Sequence, residues 1–167
     1  DAADSLGYEY YCVSDHTQSL TIANGMDEAR LLNRIDEIDD LNSSGRWNLK
    51  ILKGAEVDIL ADGSLDIQDD VLVQLDIVTV SVHSRMKDSK EVMTERVCEA
   101  LRNKHVHILG HPTGRLLLKR SEFEIDLEQV FAVAKKHNVA MELNAHPWRL
   151  DLDAGNLRAA KRQGIKI

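Results

Sequence analysis

The sequence predicts an α/β protein built on parallel strands. Three observations lead there: short Val- and Ile-rich runs alternate with stretches of helical period, side chains able to bind a metal follow those runs closely, and successive candidates stand about 30 residues apart, the length of one βα unit. Runs dominated by Val and Ile suit strands whose two faces are both buried. The alternation implies a parallel sheet flanked by helices, either open or closed into a barrel.

Five junctions carry the pattern. Tyr11-Cys12-Val13-Ser14 is followed by Asp15-His16, Ile51-Leu52 leads to Glu56, and Ile77-Val78-Thr79-Val80 leads to His83. Val106-His107-Ile108-Leu109 leads to His111, and Val139-Ala140-Met141 leads to Glu142 and Asn144. Parallel strands lying side by side bring such ends to one rim, where ligands distant in sequence become neighbours.

Between the junctions the spacing of Leu31, Ile35, Ile38 and Leu41 predicts a helix over 26–41, closed by Ser43-Ser44-Gly45. A strand over 50–60 ends at the turn Ala61-Asp62-Gly63-Ser64. A helical turn over 69–75 precedes a strand over 76–82. Ser89 caps a helix reaching about residue 103, with Met93, Val97 and Leu101 one turn apart. Asp126 with Gln129 resembles a capping box for a helix over 127–137, whose last turn sets Lys135, Lys136 and His137 at the negative end of the helix dipole. Asp153 caps a final helix to about residue 163, stopped by Gly164.

A chain of 167 residues with 43% hydrophobic content supports one ordinary core, so residues 1–167 read as a single domain. No apolar run approaches the roughly 20 residues that cross a bilayer, and nothing resembles a signal peptide. The expectation is a soluble, cytoplasmic protein without membrane contact. Cys12 on a strand and Cys98 on a helix form no C-x-x-C pair and read as reduced core residues. A net charge of -7 argues against coating nucleic acid by bulk electrostatics. The charge is uneven: an acidic excess lies before residue 111 and a basic one after it. Lys135, Lys136, Lys161 and Arg162 suit solvated helix faces, whereas Arg115, Lys119, Arg120 and Arg149 follow candidate ligand strands and are placed to reach a phosphate at the rim. Both ends read as cut, since no initiator Met is present, residues 1–7 look like a helix end, and residues 164–167 look like a strand start. The chain is therefore expected to be an internal piece of a longer one.

Imidazole and carboxylate together suit Zn, Mn or Fe, and a carboxylate bridges two cations through its two oxygens. Glu56, directly after Gly54-Ala55, is the natural bridge. A lone histidine after a strand is ordinarily a surface or core residue; His83, His111 and Asp15-His16 at separate strand ends make a shared metal the better reading. His105 and His107 are expected to divide between packing and solvent, His137 ends a helix, and His146 suits either a loop position or a substrate contact. Ser14, Ser81 and Ser84 lack a G-x-S-x-G elbow, and the Rossmann and P-loop glycine patterns are absent.

In order, Gly7-Tyr8-Glu9-Tyr10-Tyr11-Cys12-Val13-Ser14-Asp15-His16, Lys53-Gly54-Ala55-Glu56-Val57-Asp58-Ile59, Val80-Ser81-Val82-His83-Ser84, Leu109-Gly110-His111-Pro112-Thr113-Gly114-Arg115, and Glu142-Leu143-Asn144 with Arg149-Leu150-Asp151-Leu152 resemble the internal motifs of the PHP (polymerase and histidinol phosphatase) superfamily. The likeness is greatest to the C-terminal PHP domain of bacterial and archaeal family X DNA polymerases. It implies a distorted (β/α)7 barrel, here incomplete with terminal strands missing, and a centre of up to three Zn or Mn ions that hydrolyses phosphoesters. By the same resemblance Glu56 bridges two metals, His83 and His111 complete the second, and His16 serves the third, with Asp15 orienting its loop. Asn144 and Arg149 match positions near the site and, with Arg115, are candidate substrate contacts. The implied activity is 3'-5' exonuclease and related 3'-end and abasic-site processing of DNA, beside a polymerase domain in the parent chain. The family's His-x-His motif is expected upstream of Asp1 and its Asp-x-His motif beyond Ile167, so the piece alone is expected to hold a nearly complete second metal position and fragments of the others, which leaves open that it is inert by itself while its parent protein is active. Alternatives are a stand-alone phosphatase for a small phosphomonoester such as histidinol phosphate, and a catalytically inactive scaffold.

Overall fold

The computed structural model describes residues 1–167. In chain order the elements are α1 (Ala2–Ser5), β1 (Tyr10–His16), a 3-10 turn (Thr21–Ala23), α2 (Glu28–Ser43), β2 (Lys50–Asp58), α3 (Asp69–Leu72), β3 (Ile77–Ser81), α4 (Lys90–Leu101), β4 (Ile108–Leu109), α5 (Leu127–His137), β5 (Ala140–Met141) and α6 (Ala154–Arg162). All five strands are parallel, and their spatial order is their sequence order. Right-handed crossovers that always step in one direction put every connecting helix on the same face of the sheet. A doubly wound sheet reverses direction and covers both faces. The arrangement is thus an arc of a (β/α) barrel, the α/β class that the alternation predicts. The Met141 N–H donates to the Lys166 carbonyl at 2.9 Å, so the backbone after α6 runs beside β5.

Register assigns the two faces. Ala55 pairs with Val78, and Val57 with Val80, which pairs with Leu109, which pairs with Met141. These side chains are buried under the helices with Leu31 and Ile35 of α2, Met93, Val97 and Leu101 of α4, and Val130, Phe131 and Ala134 of α5. The opposite face carries His16 across from Glu56, Glu56 across from Thr79, and Asp58 across from Ser81. Side chains alternate along a strand, so the chemistry-bearing residues share the face that the helices do not cover.

Several local expectations shift. Met26 does not open α2: its N–H donates to the His16 carbonyl at 2.7 Å, and Asp27 caps the helix by accepting from the Arg30 N–H at 2.9 Å. Leu41 is exposed at the mouth of an apolar cavity that it lines with Tyr11, Val13 and Ile51, while Leu31, Ile35 and Ile38 are buried. β2 stops at Asp58, because the Leu60 N–H turns back to the Ser64 carbonyl. The capping box at α5 is half formed: Asp126 accepts from the Gln129 N–H at 3.1 Å, but its own N–H goes to Thr94 Oγ1 on α4 at 2.8 Å. His105 and His107 are two residues apart and neither is buried. His107 Nδ1 accepts from the Val78 N–H at 3.0 Å, just before β3 and β4 begin to pair. Cys12 and Cys98 are both free thiols, and burial pushes the Cys98 thiol up to about 11. No helix is long and apolar enough to cross a membrane.

Arg96 of α4, which the sequence pattern did not single out, fastens the rim. It is 2% exposed and donates Nε–H to the Leu60 carbonyl at 2.7 Å, Nη1–H to the Ser84 carbonyl at 2.9 Å and a further bond to the Ile59 carbonyl. One guanidinium therefore ties the ends of β2 and β3, the strands that deliver Glu56 and His83. Arg96→Ala leaves these buried carbonyls without donors and should cost roughly 2–4 kcal/mol of stability by urea denaturation. Lys90→Ala, at the exposed start of the same helix, should cost under about 1 kcal/mol; equal effects would mean that Arg96 clamps nothing.

Candidate metal centre

Four strand ends meet at one carboxylate. His16 closes β1 directly opposite Glu56 of β2, and His83 and His111 each stand two residues past the ends of β3 and β4. Glu56 Oε1 is 3.3 Å from His83 Nε2 and 3.2 Å from His111 Nε2, and those two nitrogens are 3.2 Å apart. Glu56 Oε2 faces the other way, 3.6 Å from His16 Nδ1. The imidazoles meet edge-on, with ring centroids 5.4 Å apart for His16 and His83 and 5.1 Å for His83 and His111. Their nitrogens, not their ring faces, converge.

The Oε1, His83 Nε2 and His111 Nε2 atoms form a nearly equilateral triangle. Ligands about 2.0–2.2 Å from a four-coordinate ion stand roughly 3.3–3.5 Å apart along a tetrahedral edge. The triangle has close to that edge, so the residues fit one face of a metal coordination shell. His16, Glu56 and His83 also bring one ligand atom each within 4.8 Å of one another. The two carboxylate oxygens thus open onto two adjacent positions, as a bridging ligand requires. His16 Nδ1 and His111 Nδ1 are buried without a hydrogen-bond partner. His16 Nδ1 points at the carboxylate, as a lone pair kept for a cation would.

Behind these four stands a layer that only the fold makes visible. Asp58, 2% exposed, places Oδ1 3.0 Å from His83 Nδ1. That contact fixes the ring orientation and directs the Nε2 lone pair inward, the usual carboxylate support for a metal-binding histidine. Its signal was present in Glu56-Val57-Asp58, since residues i and i+2 of a strand share a face. Glu142 does not join the triangle; its Oε2 accepts the His111 backbone N–H at 2.5 Å and holds that residue at φ 27°, a backbone region rare for any residue but glycine. Asp66, from the β2–α3 connection, accepts from Thr17 Oγ1 at 2.7 Å and from the Ser19 N–H at 2.9 Å, steadying the loop after His16. Asp15 lies on the helix-covered face, its Oδ2 3.5 Å from Arg34 Nε of α2, and so orients β1 without turning to the cluster. Gly110 lets β4 end against β3: a Cβ there would stand 2.4 Å from Ser81 Oγ.

Charge follows from this packing. Burial alone would raise the Glu56 carboxyl, yet hydrogen bonds from His111 and His83 hold it far below the usual carboxylate range. Burial alone would lower His83, yet hydrogen bonding to Asp58 and Glu56 pushes it up to about 9. The cluster thus keeps an ionised carboxylate beside a proton on His83, and a cation would take over that proton's place.

The remaining candidates are near the rim but make no hydrogen bond to the triangle. Arg115 is spent on the loops, donating to the Arg149 carbonyl at 2.9 Å and to the Leu150 carbonyl, with Glu122 at 3.3 Å and Asp153 at 3.9 Å. Asn144 donates to Glu142 Oε1 at 3.3 Å and accepts from the His146 N–H at 3.1 Å. The Arg149 guanidinium donates only to the Arg115 carbonyl, at 3.4 Å. His146 Nδ1 accepts from the Trp148 N–H at 3.3 Å, within its own loop turn.

No family profile matches the chain. Over all 167 residues it is 47% identical to the DNA polymerase/3'-5' exonuclease PolX of Bacillus subtilis, of which it spans 29%. Over 148 residues, 86% of the chain, it is 33% identical to a probable phosphatase of Aliivibrio fischeri, spanning 53% of that protein. Over 173 aligned residues, 99% of the chain, it is 28% identical to a probable phosphatase of Acetivibrio thermocellus, spanning 66% of it. The chain accordingly covers less than a third of the polymerase and about half to two thirds of the phosphatases.

If Asp58 holds His83 for a cation, Asp58→Asn should weaken Zn or Mn affinity about 10–100-fold in a chelator competition, with the circular dichroism spectrum unchanged. Unaltered affinity would show that His83 needs no such support or ligates nothing.

Proposed function

We propose that this chain, a PHP domain of the kind carried by family X DNA polymerases, is a metal-dependent phosphoesterase acting on DNA phosphodiesters from the 3' end. The observation that carries the reading is the triangle of Glu56, His83 and His111 with His16 on the second carboxylate oxygen. Its similarity over the full chain to a polymerase/3'-5' exonuclease supports the choice of substrate.

Divalent cations bound here, Zn or Mn and up to three in the complete site, would neutralise a phosphate and acidify a water at neutral pH. The chain's own residues have separate tasks. Glu56 links the His16 side to the His83–His111 side through its two oxygens. Asp58 sets the His83 ring, Glu142 sets the His111 backbone, and Arg96 keeps the two strand ends at their spacing. Protein nucleophiles have no place: Ser81 is fully buried, and Ser84 Oγ accepts from Arg96 at 3.2 Å. Attack falls to water, which needs no covalent intermediate. Arg149 is the rim cation left for a phosphate, while Arg115 positions it by gripping its carbonyl, and Asn144 acts through Glu142. We place residues 1–167 in one domain, working in the cytoplasm beside a polymerase domain.

Similarity to two probable phosphatases favours a second reading, a small phosphomonoester such as histidinol phosphate as substrate. The two readings part in one assay. In the longer parent protein that carries both flanking motifs, Mn-dependent release of nucleotides from an oligonucleotide 3' end should exceed histidinol phosphate hydrolysis in kcat/KM, and Glu56→Ala should lower it at least about a hundredfold. Undiminished release by Glu56→Ala would remove the carboxylate from the mechanism, and a preference for histidinol phosphate would transfer the assignment to the second reading.

A further inference from the structure

The loops that leave β4 and β5 are not independent. The Leu117 N–H donates to the Trp148 carbonyl at 2.7 Å, the Thr113 N–H to the Asp151 carboxylate at 3.1 Å, and Arg115 to the Arg149 carbonyl at 2.9 Å. Residues 112–122 and 143–151 therefore make one platform, which begins at His111 and at the Glu142 that holds it.

Its surface is basic and aromatic. Lys119, Arg120 and Arg149 have no carboxylate partner, whereas Arg115 on the same loops pairs with Glu122. Burial and the nearby Arg149 both work against the charge of Arg120, so two cations are held close together without a counter-charge. Trp148 is 54% exposed, with Lys119 Nζ 5.9 Å from its ring. At the tip, Leu118 is 98% exposed and held at φ 63°, a left-handed conformation that a leucine rarely adopts. An exposed aromatic among unpaired cations suits a base stacked over a phosphate chain, and a projecting leucine suits a wedge between bases.

We propose that this platform grips single-stranded nucleic acid, with Trp148 stacking a base, Leu118 entering between bases, and Lys119, Arg120 and Arg149 holding the phosphates that lead to the metal centre. The inference rests on the nucleic-acid reading of that centre and names where its strand is held. A 12-nucleotide oligothymidylate, titrated in EDTA against the Trp47→Phe variant, should quench the emission of the remaining Trp148. Binding should be at least about fivefold tighter than for a blunt duplex of equal length, and should weaken steeply with salt. Followed by anisotropy of a labelled oligothymidylate, Lys119→Glu and Trp148→Ala should each weaken binding about tenfold, and Leu118→Ser a few-fold. All three side chains are surface-exposed, so folding is not at stake. Absence of binding, preference for the duplex, or affinities untouched by these variants would overturn the platform. Cleavage by the longer protein that carries both flanking motifs distinguishes the two claims: oligothymidylate bound here but never hydrolysed would leave the platform standing and sink the exonuclease reading, whereas hydrolysis indifferent to the three variants would do the reverse.

Discussion

His16 and Glu56 meet because β1 and β2 run parallel with those two residues in register, and everything at the rim depends on that pairing. A slip by one residue would turn Glu56 and Asp58 under the helices and bring Ala55 and Val57 to the open face. The apolar residues prevent it. Ala55, Val57, Val78 and Val80 are all fully buried beneath α2, α4 and α5, so the packing that stabilises the sheet also fixes which face carries His16, Glu56 and Asp58. Stability and chemistry are set by the same alternation.

The second constraint is electrostatic. Gathering a carboxylate and three imidazoles in a partly buried site is unfavourable unless each is held and the charge is balanced. Asp58 and Glu142 hold two of the histidines from behind, one through the ring and one through the backbone. Their contribution is orientation, which a metal site needs as much as it needs ligands. Arg96 does comparable work for the backbone, with carbonyl oxygens as its partners.

Much of this was legible in the sequence. The α/β class, α4, α5 and α6 with their Ser89, Asp126 and Asp153 caps, and the convergence of His16, Glu56, His83 and His111 all follow from local pattern and strand-end placement. What escaped it was long-range. Nothing local says that the Asp126 N–H will prefer Thr94 to Gln129, or that Arg96 will find carbonyls more than thirty residues away. Arg115 read as a phosphate ligand because an arginine after a ligand strand has the reach, and only the docking of two loops shows its guanidinium already in use. Asp58 was within reach of the sequence, since strand alternation pairs it with Glu56, but a buried carboxylate supporting a histidine 25 residues on becomes evident only when the strands are aligned.

The proposed metal chemistry turns on Glu56 as the ligand shared by both sides of the site. Anomalous scattering from crystals grown with Mn or Zn tests it without relying on turnover. If Glu56 is shared, an ion should lie within about 2.0–2.3 Å of Glu56 Oε1, His83 Nε2 and His111 Nε2, with any second ion on the Oε2 side near His16. Ions bound elsewhere on the rim, with Glu56 left outside their coordination shells, would contradict it.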